Sequence, residues 1–262
     1  MENYSEHLEL AKKAALGAGN LILRRFGKTG GVKDKAPKDM VTDADVESER
    51  LIISMIKKKY PHHGFLAEES GKSGEESEYV WAIDPIDGTN NFAFGLPLFG
   101  VSIALLKNKQ PVLGVINIPV FKELFHATRG GGAFMNGRLL HVSRRIKPDD
   151  MMVFYHTHLE FGKGRVMSLV EKLSESFHSL RMLGAATVHL TRIAAGVADA
   201  WVENNAFPWD IAAGCLIVEE AGGKATDFDG NPWTPWSKHL VVSNGKAHSQ
   251  ILEIVRKAIK DA

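Results

Sequence analysis

Trp81-Ala82-Ile83-Asp84-Pro85-Ile86-Asp87-Gly88-Thr89 runs an apolar strand straight into two carboxylates three residues apart. Pro85 fixes its own φ and carries no N–H, so a defined bend is expected there rather than a continuing helix. Gly88 and Thr89 then supply a bare backbone and a hydroxyl, the chemistry of a helix N-terminus that turns N–H groups toward an anion. Two carboxylates beside an anion site make chemical sense when a cation lies between them.

An Asp-Pro turn followed by a helix cap would explain this stretch alone, but similar junctions elsewhere carry more carboxylates. Glu68 and Glu69 follow the predicted strand Phe65-Leu66-Ala67, and Asp210, after Pro208-Trp209, heads the predicted helix Ile211–Ala221. Asp45 closes Thr42-Asp43-Ala44-Asp45, which resembles a capping box with Asp in place of Glu. If such groups converged without a metal, each like-charge pair about 4 Å apart would cost about 4 kcal/mol at an effective dielectric near 20. Oxygen donors without Cys or His point to Mg²⁺ or Mn²⁺ rather than zinc.

Outward from this stretch, helical spacing of Leu8, Ala11, Ala15, Ala18 and Ile22 predicts an opening amphipathic helix stopped at Gly27. A second helix is expected from Thr42 to Tyr60, burying Val46, Ile52, Ile53 and Ile56 before Pro61. Phe65–Ala67, Tyr79–Ile83, Val101–Leu106, Val112–Ile118 and Glu123–Ala127 read as strands, and Asn136-Gly137 as a two-residue hairpin turn. Further strands are expected at Val153–His158, Ala198–Glu203, Lys224–Asp227 and His239–Val242, and further helices at Arg165–Phe177, Thr187–Val197 and Ser249–Lys260. Gly27–Lys38 and Gly71–Glu78 read as polar loops. Helices and strands mix in blocks, which favours a layered α+β fold over a doubly wound sheet.

At 262 residues the chain suits one domain, residues 1–262, with two lobes of roughly 1–145 and 146–262. Thirty-two Lys and Arg against thirty-one Asp and Glu give a net charge of +1, which argues against a nucleic-acid partner. The single Cys215 excludes an intramolecular disulfide framework, and no apolar run reaches membrane-spanning length, so a cytoplasmic protein without a membrane partner is expected.

Asp84-Pro85-Ile86-Asp87-Gly88-Thr89, Trp209-Asp210-Ile211-Ala212-Ala213-Gly214 and Ala67-Glu68-Glu69-Ser70 together resemble the signature segments of the inositol monophosphatases. These belong to the lithium-sensitive, Mg²⁺-dependent phosphatases that also include fructose-1,6-bisphosphatases and phosphoadenosine-phosphate phosphatases. The resemblance extends from the opening helix to Gly222-Gly223 in the expected order and spacing. It implies a layered α/β/α/β/α sandwich of the sugar-phosphatase type, commonly a homodimer.

The resemblance also implies roles. Glu68, Asp84 and the carbonyl of Ile86 would hold a first Mg²⁺; Asp84, Asp87 and Asp210 a second; and Glu68 would share a weaker third, with Mn²⁺ as an alternative ion. Asp45 and Thr89 would orient and deprotonate the attacking water, and the N–H groups of Gly88 and Thr89 would bind the phosphate. Metals about 3.5 to 4 Å apart stabilise both the entering and leaving oxygens of an in-line displacement. Glu68, Asp87 and Asp210 would also face the substrate, as would the backbone of Gly184-Ala185-Ala186. Glu203 would accept hydrogen bonds from ring hydroxyls, and Lys35 would approach the site from its loop.

The expected activity is hydrolysis of inositol 1-phosphate, a small phosphate monoester. Fructose-1,6-bisphosphatase or dual-specificity activity is the alternative, and a non-catalytic scaffold the remote one. Other motifs are set aside. Gly71-Lys72-Ser73 is not a P-loop, because the glycine it requires is Leu66. His156 and His158 form a strand-spaced pair without a third soft ligand nearby, and Arg144, Arg145 and Lys147 read as a solvated turn. Cys215 reads as a small core residue, and no G-x-S-x-G elbow occurs.

Overall fold

Near-continuous apolar runs through the middle of the chain build a sheet that is buried on both faces and therefore needs cover on both. The computed structural model describes residues 3–28, 32–36, 39–157 and 162–260. The chain opens with α1 (Ser5–Arg25), the hairpin β1 (Val32–Ala36) and β2 (Asp39–Thr42), and α2 (Asp43–Lys59). Then come β3 (Gly64–Ala67), β4 (Gly71–Ser73), β5 (Tyr79–Asp87), α3 (Thr89–Ala93), β6 (Gly100–Lys107), β7 (Gln110–Ile118), β8 (Glu123–Thr128), β9 (Ala133–Met135) and β10 (Arg138–Leu139). The remainder is β11 (Met152–Thr157), α4 (Lys163–Ser176), β12 (Ser179–Arg181), α5 (Ala186–Ala194), β13 (Ala200–Asn204), α6 (Pro208–Glu220), β14 (Lys224–Thr226), β15 (His239–Ser243) and α7 (His248–Lys260).

Among the described residues the large sheet has eight strands in the order β10-β9-β8-β7-β6-β5-β3-β4, with only β3 and β5 parallel. The second has five, β12-β11-β13-β15-β14, with β11 parallel to both neighbours. Odd-numbered side chains of β5 to β7, including Trp81, Ile83, Ile103 and Val115, pack under α1 and α2. Even-numbered ones, including Ala82, Ala104 and Ile116, face α5 and α6, which press against Phe154, Trp201 and Leu240 of the second sheet. That sheet's other face, with Val153, Tyr155 and Val202, lies under α4 and α7. The result is the expected five-layer α/β/α/β/α sandwich. Fully burying a side chain such as Trp81 or Trp201 stabilises it by about 2–3 kcal/mol, so the three cores set the layer order.

The Asn136-Gly137 hairpin forms as expected, with both residues at positive φ and Arg138 opposite Met135. Cys215 is a buried core residue. The structure corrects other expectations. Val46 and Ile53 are only half-buried, because α2 turns Asp45, Ser48 and Glu49 inward alongside Ile52 and Ile56. The two polar loops carry β1 and β4. Arg145 is not a solvated turn residue: its Nε donates to the buried Asp199 carboxylate at 2.9 Å. His158 lies outside the described residues, as does the side chain of Lys35. Among the described residues no helix is long and apolar enough to cross a membrane.

Candidate active site

The bend expected at Pro85 is a bulge in a strand that continues to Asp87. Asp84 pairs with Ser102 and Asp87 with Gly100, so β5 spends three residues where β6 spends two. The extra residue carries Asp84 and Asp87 out of simple alternation and buries both. Asp84 Oδ1 accepts the Ile86 N–H at 3.0 Å, which fixes the bulge locally. Gly88 follows at φ +88°, where a Cβ would stand 2.9 Å from the Leu98 carbonyl and 3.0 Å from Ala185 Cβ, so no other residue fits there.

Asp45 sits in the first turn of α2 as the capping-box reading expected. Its Oδ2 accepts the Thr42 N–H at 2.8 Å and the Thr42 hydroxyl, and its Oδ1 lies 3.1 Å from Thr89 Oγ1. Thr89 Oγ1 is also 2.8 Å from the Ile86 carbonyl. A hydroxyl has one proton, so when Thr89 donates to Asp45 the Ile86 oxygen is left as an acceptor. Burial pushes Asp45 up to about 6, against the hydrogen bonds from Thr42 and Thr89.

Asp210 belongs to the first turn of α6, which begins at Pro208, and does not cap it from outside as expected. Its Oδ2 reaches back to the Phe207 N–H at 2.9 Å. Ser102 Oγ donates to the Trp209 carbonyl at 2.9 Å, tying this helix start to the strand opposite Asp84. Asp84 is held well above the ordinary carboxylate range by burial, then by Glu68, Asp87 and Asp210; Asp210 is raised by burial, then by Glu68 and Asp87. Asp84 and Glu68 are themselves hydrogen-bonded. Asp87 is raised by burial, which outweighs its hydrogen bonds with Thr187 and Ala186.

Those hydrogen bonds come from 100 residues away. The N–H of Ala186 donates to Asp87 Oδ1 at 3.0 Å, and the N–H of Thr187 to Oδ2 at 2.6 Å, joined by the Thr187 hydroxyl. The segment leading in is clamped as well. Asn91 Nδ2 donates to the carbonyls of Leu98 and Leu183, each at 2.7 Å, and the Leu183 N–H donates to His189 Nε2 at 3.1 Å. Gly184 and Ala185 are thereby brought beside Gly88. Glu203, which a reading of exposed strand-end charge would leave in solvent, is 2% exposed. His156 Nδ1 donates to its Oε2 at 2.9 Å. Burial opposes charge on that imidazole, but Glu203, with Asp87 and Asp210 beyond it, outweighs burial and pushes it up to about 9.

A model for the inositol monophosphatase family matches residues 3–260. The chain belongs to the inositol monophosphatase family. An inositol-1-monophosphatase from Mesorhizobium japonicum is 39% identical over 257 residues, 96% of this chain and 97% of that one. A fructose-1,6-bisphosphatase/inositol-1-monophosphatase from Thermotoga maritima is 34% identical over 258 residues, 98% of each. The solved extragenic suppressor protein suhB of Bartonella henselae superposes with a TM-score of 0.92 at 35% identity, covering 96% of this chain and 99% of that one. The chain thus belongs to a family of phosphatases, and that family is Mg²⁺-dependent.

Three contributors to this site escaped the sequence reading. Glu49, 2% exposed, accepts the N–H groups of Glu69 and Ser70 at 2.8 and 2.9 Å and so shapes the turn that presents Glu68. Its signal was available: Asp45, Glu49, Ile52 and Ile56 share one helix face, so two carboxylates lie in an apolar stripe. Thr187 and His156 carried no local signal.

Proposed function

We propose that this protein is a Mg²⁺-dependent phosphomonoesterase acting on a small polyol or sugar phosphate, with inositol 1-phosphate as the leading substrate. The observation that carries this reading is the convergence of Glu68, Asp84, Asp87 and Asp210: burial drives Asp84, Asp87 and Asp210 toward protonation, and repulsion from neighbouring carboxylates adds to it at Asp84 and Asp210. Among the described residues no three such side chains are already drawn tightly enough around one point to hold an ion, so the fit rests on donor chemistry. That chemistry suits a hard divalent cation: carboxylates and one carbonyl, all oxygen, destabilised by proximity to each other. Glu68, Asp84, Asp87, Asp210 and the Ile86 carbonyl would hold Mg²⁺, which when bound supplies positive charge and polarises the phosphoryl group.

The chain's own groups do the rest. Asp45, tied by Thr42 through Oδ2, keeps Oδ1 for the Thr89 hydroxyl, whose lone pair orients an attacking water. With its affinity for protons raised to about 6, Asp45 is ionised at neutral pH and is a better base than an ordinary carboxylate. The backbone N–H groups of Gly88 and Thr89 bind the phosphate, while Gly184, Ala185 and Glu203 face the alcohol being released. A second reading, dual action on fructose 1,6-bisphosphate, is supported by the name of the Thermotoga relative.

The test is phosphate release from inositol 1-phosphate, fructose 1,6-bisphosphate and phosphoadenosine phosphate, each with Mg²⁺ and with EDTA. Mg²⁺-dependent turnover is expected, strongest on inositol 1-phosphate. Asp84→Asn should lower it by a factor on the order of 1,000, the scale of removing one charge-stabilising group from a phosphoryl-transfer site. Unchanged release from this variant would sink the metal reading.

A further inference from the structure

His156 and Glu203 face each other in register across β11 and β13, on the sheet face that packs toward α5 and α6. A carboxylate accepts only, so the 2.9 Å contact is donation from His156 Nδ1 to Glu203 Oε2. The other oxygen, Oε1, is buried and has no hydrogen-bond partner among the described residues. An unsatisfied buried acceptor is costly, and natural proteins keep one mainly where a ligand supplies the donor. Asp210 lies within electrostatic range of Glu203, and Asp87 and Asp210 within range of His156, so the pair borders the acidic cluster and is not an isolated feature of the second sheet.

We propose that His156 is a positioning residue that holds Glu203 by Oε2 and so presents Oε1 as a single fixed acceptor for a hydroxyl donor on the substrate. This rests on the phosphatase reading above. Its consequence is selectivity. A polyol supplies the proton that Oε1 lacks, whereas a second phosphate brings negative charge and, at neutral pH, few donors. Without the imidazole, Glu203 beside Asp210 has no fixed rotamer and loses that discrimination. His239 lies within electrostatic range of Glu203 and His189 stands behind His156, ring centroids 6.3 Å apart, with Nε2 engaged by the Leu183 N–H; the 2.9 Å hydrogen bond to Glu203 is His156's.

The experiment compares wild type with His156→Phe, His156→Gln, Glu203→Gln and the double variant His156→Phe/Glu203→Gln. The substrates are inositol 1-phosphate and 4-nitrophenyl phosphate, which has no ring hydroxyls to present. His156→Phe should lose about tenfold more kcat/KM on inositol 1-phosphate than on 4-nitrophenyl phosphate, mainly through KM, the scale of one charge-assisted hydrogen bond. His156→Gln, which keeps a donor, should recover most of it, and the double variant should be no worse than Glu203→Gln alone. Equal losses on both substrates, or additive losses in the double variant, would overturn the assignment to His156 while leaving the phosphatase reading intact. Absence of wild-type phosphate release from both substrates would overturn that reading and this one with it. A second measurement does not depend on the Phe variant folding: in ¹⁵N-histidine NMR of the wild-type protein, the His156 resonance should shift on adding myo-inositol with phosphate but not phosphate alone. No difference between the two additions would overturn the proposal.

Discussion

The acidic wall of the site and its alcohol-facing wall are built in opposite ways. On the acidic wall three carboxylates accept from near neighbours in sequence: Asp84 from Ile86, Asp45 from Thr42, and Asp210 from Phe207, all within three residues. On the facing wall the contacts are distant, from His156 to Glu203 across 47 residues and from Asp87 to Thr187 across 100. Short-range motifs can place charged groups before the fold is complete. Only the assembled sandwich, with its helix layer gripped between two sheets, brings the second set together. On the proposed function, most of the chemistry would then rest on local motifs and the selectivity on tertiary packing.

Glu49 is the exception on the acidic wall, and breaking it should give the largest effect of the three variants considered next. It reaches 20 and 21 residues along the chain to bind the N–H groups of Glu69 and Ser70, directly after Glu68, whose own N–H donates to the Ile83 carbonyl at 3.2 Å. Glu49→Gln replaces one acceptor oxygen with an amine that confronts an N–H. Misplacement of Glu68 by about 1 Å should lower kcat on the order of 100-fold, with a stability loss of about 2 kcal/mol. Phosphate release and denaturant midpoints measure the two separately. An activity loss no larger than the stability loss explains would make Glu49 merely a core residue.

This division also accounts for what could be read from the chain. Most of the element order, the layered class, the family and the candidate residues Glu68, Asp84, Asp87, Asp210, Asp45 and Thr89 could be picked out because apolar periodicity, Pro, Gly and capping chemistry act over a few residues. The bulge was not, since Pro85 predicts a bend whether the strand stops or merely slips register, and the choice belongs to β6. The inward turn of α2 was misread because apolarity was allowed to choose the buried face. Val46 and Ile53 lost it to Ser48 and Glu49, which have partners there in the Pro85 carbonyl and the Glu69 turn. His156 reads with His158 as a solvated or packed pair, whereas its ring donates to Glu203 on the neighbouring strand.

Thr187 joins the two walls and should show an intermediate effect. Its hydroxyl and N–H, with the Ala186 N–H, are what oppose burial in keeping Asp87 ionised. Thr187→Val removes only the hydroxyl and keeps the shape. Asp87 then binds a proton more readily and competes less well for a cation, so the Mg²⁺ concentration for half-maximal activity should rise on the order of tenfold. Saturating Mg²⁺ should restore most of the rate. A lowered plateau with unchanged Mg²⁺ dependence would show that Thr187 acts through the helix and not through Asp87.

His248 sharpens the comparison from outside the site, because it is a buried titratable group whose needs are met. Thr226 Oγ donates to the Asp227 carbonyl and therefore accepts from His248 Nε2 at 2.9 Å. In the neutral ring with its proton on Nε2, Nδ1 accepts from Ser243 Oγ at 2.8 Å, and Ser243 Oγ also accepts the Gly245 N–H. The network satisfies the neutral Nε2–H tautomer, and burial, then Lys224, pushes the group down to about 4. Its unfolded value is near 6.5, so between pH 6.5 and about 4 the unfolded chain binds more protons and stability falls as pH falls. The lost increment is roughly 3 kcal/mol across that window, and none of it is expected above pH 7. His248→Gln should flatten this part of the wild-type stability curve while leaving neutral-pH activity intact, and denaturant midpoints from pH 4 to 7.5 measure the difference. Parallel curves for the two proteins would mean that His248 accepts a proton in place, and that the scaffold tolerates charge as the acidic wall does only with a cation bound.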